Sequence, residues 1–178
     1  MKLFLMMFLM VAGFTHAEVR RVAGNSYPLE AEWLEETWQL QGASHFRFRL
    51  FSVFTGALYF SEANPDARKL RFTYTRRIPA DTLVEQGMRV LRQTYAAHEI
   101  AERREILDRI NAAFRDVREG DRYTITVIPD RGTWLHFGEE EVFFDTDAEF
   151  GLWYLAIWLG ENPMSTGLRD ALLTGEDS

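Results

Sequence analysis

Apolar residues recur at every second position along much of the chain's first half. Phe46, Phe48, Leu50, Phe54, Leu58 and Phe60 hold even positions in the run His45 to Phe60, which puts them on one face of an extended strand. The odd face begins with Arg47 and Arg49 and turns apolar at Phe51 and Val53. The later half of the run is thus apolar on both sides, as in a strand covered from both faces. A shorter alternating stretch, Thr37 to Gln41, precedes it, and Gly42-Ala43-Ser44 is expected to turn the chain between the two. Asn64-Pro65-Asp66 ends the run, and Leu70, Phe72 and Tyr74 open another strand of the same period. Arg76 continues that parity and is therefore expected on the buried face.

Pro79 stops this strand, and Thr82 with Glu85 three residues on has the pattern of a capping box opening a helix. Val84, Met88, Leu91 and Tyr95 then follow at helical spacing. A second helical pattern carries Leu107, Ile110, Phe114 and Val117 on one face, with Glu99 and Arg103, and Glu105 and Arg109, expected as ion pairs outside. Gly120-Asp121 returns the chain to strand over Tyr123 to Ile128. Pro129-Asp130-Arg131-Gly132 predicts a hairpin into Thr133 to Phe137, with Val142 to Phe144 as a further strand. Thr146 and Glu149 repeat the capping pattern before a helix whose Phe150, Trp153, Tyr154, Ile157 and Trp158 are bulky on nearly every side. Such a helix must be buried or line a cavity. Gly160 closes it, and Ser165 or Thr166 caps a last amphipathic helix with Leu168, Ala171 and Leu172, ended by Gly175. Strands, two helices, strands and two helices in that order predict an α+β fold, an antiparallel sheet with helices packed on it.

The first seventeen residues stand apart from this pattern. Lys2 is followed by twelve uncharged residues, Leu3 to Phe14, and then by Thr15, His16 and Ala17, the layout of a secretory signal peptide cut after Ala17. The apolar run is shorter than the roughly 20 residues a membrane span needs. The expected organisation is a signal peptide over 1–17 and one domain over 18–178, placed in the periplasm or secreted. The later run Leu152 to Leu159 is too short to span and suits a buried helix.

Composition narrows the chemistry. The 178 residues include no cysteine, which excludes disulfides, thiolate zinc and iron–sulfur sites and a thiol nucleophile. A net charge of -7 argues against a phosphate-backbone binder, so nucleic acid is not expected as a partner. All basic residues except Lys2 and Lys69 are arginines, so a lone arginine is weak evidence for a site. His98-Glu99 with Glu102 has one histidine where a zinc-protease helix needs two, and no phosphate loop, serine elbow or dinucleotide fingerprint occurs. Neither a metal nor a cofactor is expected.

Three segments together resemble the bacterial chalcone isomerase-like proteins: Leu40-Gln41-Gly42-Ala43 through Gly56-Ala57-Leu58-Tyr59-Phe60, then Phe72 to Ile78, then Ile157-Trp158-Leu159-Gly160-Glu161-Asn162-Pro163-Met164-Ser165 with Leu168-Arg169. The resemblance implies an antiparallel sheet and helices enclosing a cleft, in an open-faced sandwich. Plant enzymes of that family close a chalcone to a flavanone, with an arginine, a threonine and a tyrosine stabilising phenolate and enolate. An ungapped alignment on Leu58-Tyr59-Phe60 puts Phe54 at the threonine position and Phe46 where many members carry arginine. Thr55 and Arg47 lie one residue along, on opposite strand faces. No tyrosine falls in the equivalent helical segment. Related non-catalytic members bind fatty acids, so the resemblance implies a long apolar carboxylate as a ligand class.

Candidate ligand-binding residues follow. Arg76, on an apolar strand face, needs a partner: either a ligand carboxylate, which the guanidinium fork suits, or one of the chain's own carboxylates. Arg47 and Arg49 are the alternative clamps. Phe54, Tyr74, Trp153, Tyr154 and Trp158 are candidates for an apolar cleft wall, with core filling as the alternative. The leading expectation is an exported, non-catalytic binder or carrier of a small hydrophobic ligand such as a fatty-acid-like carboxylate. The alternatives are an intramolecular lyase or isomerase acting on an unsaturated carbonyl compound, and an envelope protein-interaction module.

Overall fold

The computed structural model describes residues 18–175, so the signal peptide expected over 1–17 lies outside the described residues. Two short strands, β1 (Val19–Val22) and β2 (Asn25–Pro28), form a hairpin of their own. The remaining strands are β3 (Glu30–Trp33), β4 (Glu36–Phe48), β5 (Phe51–Ser61), β6 (Arg68–Tyr74), β7 (Arg122–Ile128), β8 (Gly132–Phe137) and β9 (Glu140–Asp145). They make one seven-stranded antiparallel sheet in sequence order. Five helices pack on it: α1 (Ala80–Thr94), α2 (Ala97–Glu102), α3 (Arg104–Ala112), α4 (Ala148–Leu159) and α5 (Thr166–Thr174). The α+β class is as expected. No helix among the described residues is long and apolar enough to cross a membrane.

The expected turn at Gly42-Ala43-Ser44 is not one. These residues lie inside β4, and the chain reverses at Arg49-Leu50, where Arg49 takes a φ of +56°. The run His45 to Phe60 is therefore two strands, with Phe46 directly opposite Phe54. Gly42 has another reason: a Cβ there would lie 2.4 Å from the Leu172 carbonyl oxygen, because α5 packs straight onto β4.

Alternation sorts the sheet into two faces. Phe54, Leu58, Leu70, Phe72, Ile125, Val127 and Leu135 point toward the helices and meet Phe150, Leu155 and Ile157 of α4. The opposite face carries Trp38, Ala57, Tyr59 and Trp134, and the β1–β2 hairpin covers part of it with Val22 and Tyr27. The Tyr27 hydroxyl bonds Thr55 Oγ1 at 2.5 Å and donates to Thr73 Oγ1 at 3.2 Å. The sheet curls over this face until β3 meets β8, where the Trp33 and Trp134 rings stand edge to face at 5.7 Å. Cover on both sides is why β5 is apolar on both sides. Each large side chain so buried contributes about 1.5–3 kcal/mol.

Several local expectations give way to longer-range contacts. Pro79, not Thr82, is the N-cap of α1, and Asp116 Oδ1 accepts the Ala80 N–H at 3.0 Å, so the Thr82 and Glu85 box does not form. The second helical pattern divides into α2 and α3, and Val117 leaves it to bridge Ile78. Arg103 sits over the Trp153 ring and near Glu102, and Arg109 pairs with Asp145 at 2.6 Å, in place of the expected pairs with Glu99 and Glu105. Asp147, not Thr146, caps α4 by accepting the Phe150 N–H. Ser165 and Gly175 bound α5 as expected.

Candidate functional site

On the helix side of the sheet, α1 and α4 stand away from the ends of β4, β5 and β6 and leave a cavity of about 670 Å³. Ligand pockets commonly have this size. Phe46, Phe54 and Tyr74 form the sheet wall, Leu83, Gly87 and Val90 the α1 wall, and Tyr154, Ile157 and Trp158 the α4 wall. Phe54 is the hub of this wall, its ring 5.0 Å from both Phe46 and Phe72. Trp158 stacks on Phe72 at 4.9 Å. The lining is apolar because α4 is bulky all round and turns one side to the core and another to the cavity.

Polar chemistry is confined to two places. Inside, Tyr74 and Tyr154 are buried, and neither hydroxyl has a hydrogen-bond partner among the described residues. Burial pushes both phenols well above the ordinary tyrosine range, so both stay neutral donors. At the mouth stand Arg76, Arg77 and Arg89. Arg77 pairs with Asp116 at 3.3 Å and Arg89 donates to Gln86. Arg76 has no ion pair among the described residues, and its guanidinium lies over the Phe51 ring at 5.4 Å.

Arg76 thus corrects one expectation while meeting another. It is exposed, not buried, because β6 ends at Tyr74, whose carbonyl accepts the Gly120 N–H and whose N–H reaches Asp121. The internal ion pair is absent, and the side chain reaches the cavity mouth. Phe54, Tyr74 and Trp158 line the cavity. Arg47 does not: it is exposed on the other strand face, donating to His45 Nδ1 at 3.3 Å. His45 Nε2 in turn bonds Ser52 Oγ at 2.7 Å, and Ser52 bonds Thr75. Arg49 is exposed in the turn over the Phe48 ring, away from the cavity. Trp153 is also outside, stacked on Tyr95 at 4.6 Å beneath Arg103. Phe46, Val90 and Gly87 were not among the expected site residues. The even parity of Phe46 was the available signal, whereas the α1 residues are recognisable only once α1 is docked.

The β4–β5 hairpin tip projects beside the mouth. Phe48 is 61% exposed, Leu50 95% and Phe51 60%, an apolar point of the surface contiguous with the opening. No three metal-ligating side chains cluster among the described residues.

A family model described as chalcone isomerase-like matches residues 19–174. The chain belongs to the chalcone isomerase-like family. Among solved structures, a fatty-acid binding protein of Arabidopsis thaliana superposes with a TM-score of 0.64 at 13% sequence identity, covering 85% of this chain and 92% of that one. At that identity the likeness shows the shared fold. No curated protein sequence matches the chain. Within this chalcone isomerase-like chain, the positions the enzyme resemblance reserves for a cation and a hydroxyl are Phe46 and Phe54, and both rings face the cavity.

Proposed function

We propose that this protein is an exported, non-catalytic carrier or sensor of a long-chain apolar carboxylate. The observation that carries the reading is an apolar cavity of about 670 Å³ with one unpaired arginine, Arg76, at its mouth. The acyl chain lies along Phe46, Phe54 and Trp158, and the head group meets Arg76. The opposite orientation would bury a carboxylate between two neutral phenols, and an uncompensated buried charge is costly. Each buried methylene contributes about 0.8 kcal/mol, so a chain of about a dozen carbons reaches micromolar affinity after association costs. The fatty-acid binding protein with the same fold supports the ligand class.

Calorimetry with fatty acids of rising length tests this. Affinity should rise with each carbon, and Arg76→Ala should erase the preference for the acid over the matching alcohol. Absence of binding at millimolar ligand would end the carrier reading. Export rests on the sequence of residues 1–17, and N-terminal sequencing of the secreted protein should begin at Glu18. The exposed tip of Phe48, Leu50 and Phe51 favours a second role for the same region, docking on an envelope partner from which ligand is collected. Leu50→Asp should then slow ligand transfer without changing affinity.

A further inference from the structure

The face of the sheet turned away from the helices carries buried donors that lack acceptors. Cross-strand register sets Tyr59, Lys69, Thr126 and Trp134 side by side on β5, β6, β7 and β8. Two residues along, Arg71, Thr124 and His136 form the adjacent row. Lys69 is 6% exposed, and its ammonium lies between two indoles, 5.0 Å from the Trp33 ring and 5.5 Å from Trp38. Aromatic faces attract a cation but accept none of its three N–H bonds in the way an oxygen does. No carboxylate lies within ion-pair distance of Lys69 or Arg71 among the described residues.

Three further groups share the problem. Arg71 Nε, the Tyr59 hydroxyl and Thr126 Oγ1 are buried without a hydrogen-bond partner. More than nine-tenths of buried polar groups are ordinarily satisfied, and buried lysines and arginines are ordinarily paired. Unsatisfied groups concentrated on three adjacent strands, around one opening, indicate a missing common partner. The opening is about 40 Å³ and is lined by Trp33, Lys69, Arg71, Thr124, Thr126 and His136, with Arg122, Gly138 and Glu139 at its rim. Glu139 is the carboxylate of that rim, and it bonds Arg122 at 3.1 Å. One water occupies about 10–15 Å³ of such space, so the opening takes a group of a few heavy atoms and excludes an acyl chain. A cluster of waters would satisfy the hydroxyls and leave two cations uncompensated.

We propose that this opening is a second binding site, for a small oxyanion of phosphate or carboxylate class, separate from the apolar cavity on the other face. Lys69 and the Arg71 fork supply charge and paired N–H donors, and Tyr59, Thr124 and Thr126 supply hydroxyls. Trp33, held by its edge contacts to Trp134 and His136, is the wall that keeps water from the bound group.

Lysine occurs in this chain only at positions 2 and 69, so lysine-labelled protein gives an NMR probe of the site. The full chain is titrated with sodium phosphate and with sodium acetate, against sodium chloride at matched ionic strength. The expected result is a saturable shift of the Lys69 side-chain signals, at least tenfold tighter than any chloride response. Lys69→Met and Arg71→Met should abolish saturation, while Arg76→Ala, at the other cavity, leaves it intact. Tighter binding of phosphate would assign a phosphate group and tighter binding of acetate a carboxylate. A drift indistinguishable from chloride overturns the proposal, leaving Lys69 as an internal cation held by two indoles. Thr126→Val keeps the shape and removes one donor, so it decides the matter if the methionine variants fail to fold: at least threefold weaker binding is expected, and no change overturns the site.

Discussion

Phe46 and Phe54 are direct partners across β4 and β5, and their rings stack with centroids 5.0 Å apart in the cavity wall. The pair fills with hydrocarbon the two positions where an enolate-forming isomerase would need a cation and a hydroxyl. Loss of one such donor costs about 100-fold to 1,000-fold in rate, and here two are replaced. Chalcone cyclisation should run at the buffer rate. Flavanone formation well above that rate, abolished by Arg76→Ala, would restore an enzymatic reading.

The unpartnered hydroxyls of Tyr74 and Tyr154 discriminate between ligand orientations. With the head group at Arg76, Tyr74→Phe and Tyr154→Phe remove hydroxyls the ligand does not use. Fatty-acid affinity should then change less than about twofold, and stability by less than about 1 kcal/mol, since no protein hydrogen bond is lost. A drop of tenfold or more in either variant, measured by calorimetry, would place the carboxylate inside.

What could be read from the sequence divides along the range of the interactions concerned. Ser165 and Gly175 bound α5 through contacts within a turn or two, so their chemistry is legible locally. Strand parity likewise identified the cavity faces of Phe54 and Tyr74. Parity failed at Arg76, because β6 stops where the Gly120-Asp121 turn caps Tyr74, and the residues after it leave the sheet. Thr82 failed as a cap because Asp116, from beyond α3, supplies the acceptor. The β1–β2 hairpin has only four residues per strand and a mixed pattern, too little for a period to register. Lys69 gave no signal, since its two indoles come from Trp33 and Trp38 and are brought there by the curl of the sheet.

Gly42 offers a packing test independent of any ligand. A methyl group there would stand 2.4 Å from the Leu172 carbonyl oxygen and 2.5 Å from that of Ala171, so α5 must move outward. Gly42→Ala should cost about 1–3 kcal/mol, the usual range for overpacking. Urea denaturation should show a lower midpoint at an unchanged slope. Gly24→Ala, where no heavy atom lies within 4 Å but φ is +86°, separates backbone strain from this packing effect. A Gly42→Ala loss no larger than that of Gly24→Ala would mean that α5 is not held against β4.

The ammonium of Lys69 should leave a mark on stability above neutral pH. Burial, and then the nearby Arg71 charge, bring its pKa down to about 8 from 10.5, with Glu139 opposing. Between those values the unfolded chain holds a proton the folded chain has released, so stability rises with pH across that window. The other shifted groups near it act elsewhere: burial lowers His136 from 6.5, and burial raises Tyr59 to about 12, which matters only above pH 10. From pH 8 to about 9.5, in chloride buffers free of phosphate and carboxylates, the gain should be about 1 kcal/mol, or about 2–4 °C in Tm. Lys69→Met should flatten that rise. Added phosphate should flatten it as well, because an anion beside the ammonium raises the pKa back toward its ordinary value. A Tm that falls steadily over the interval in the parent protein would show that Lys69 keeps its proton, with its charge compensated inside the fold.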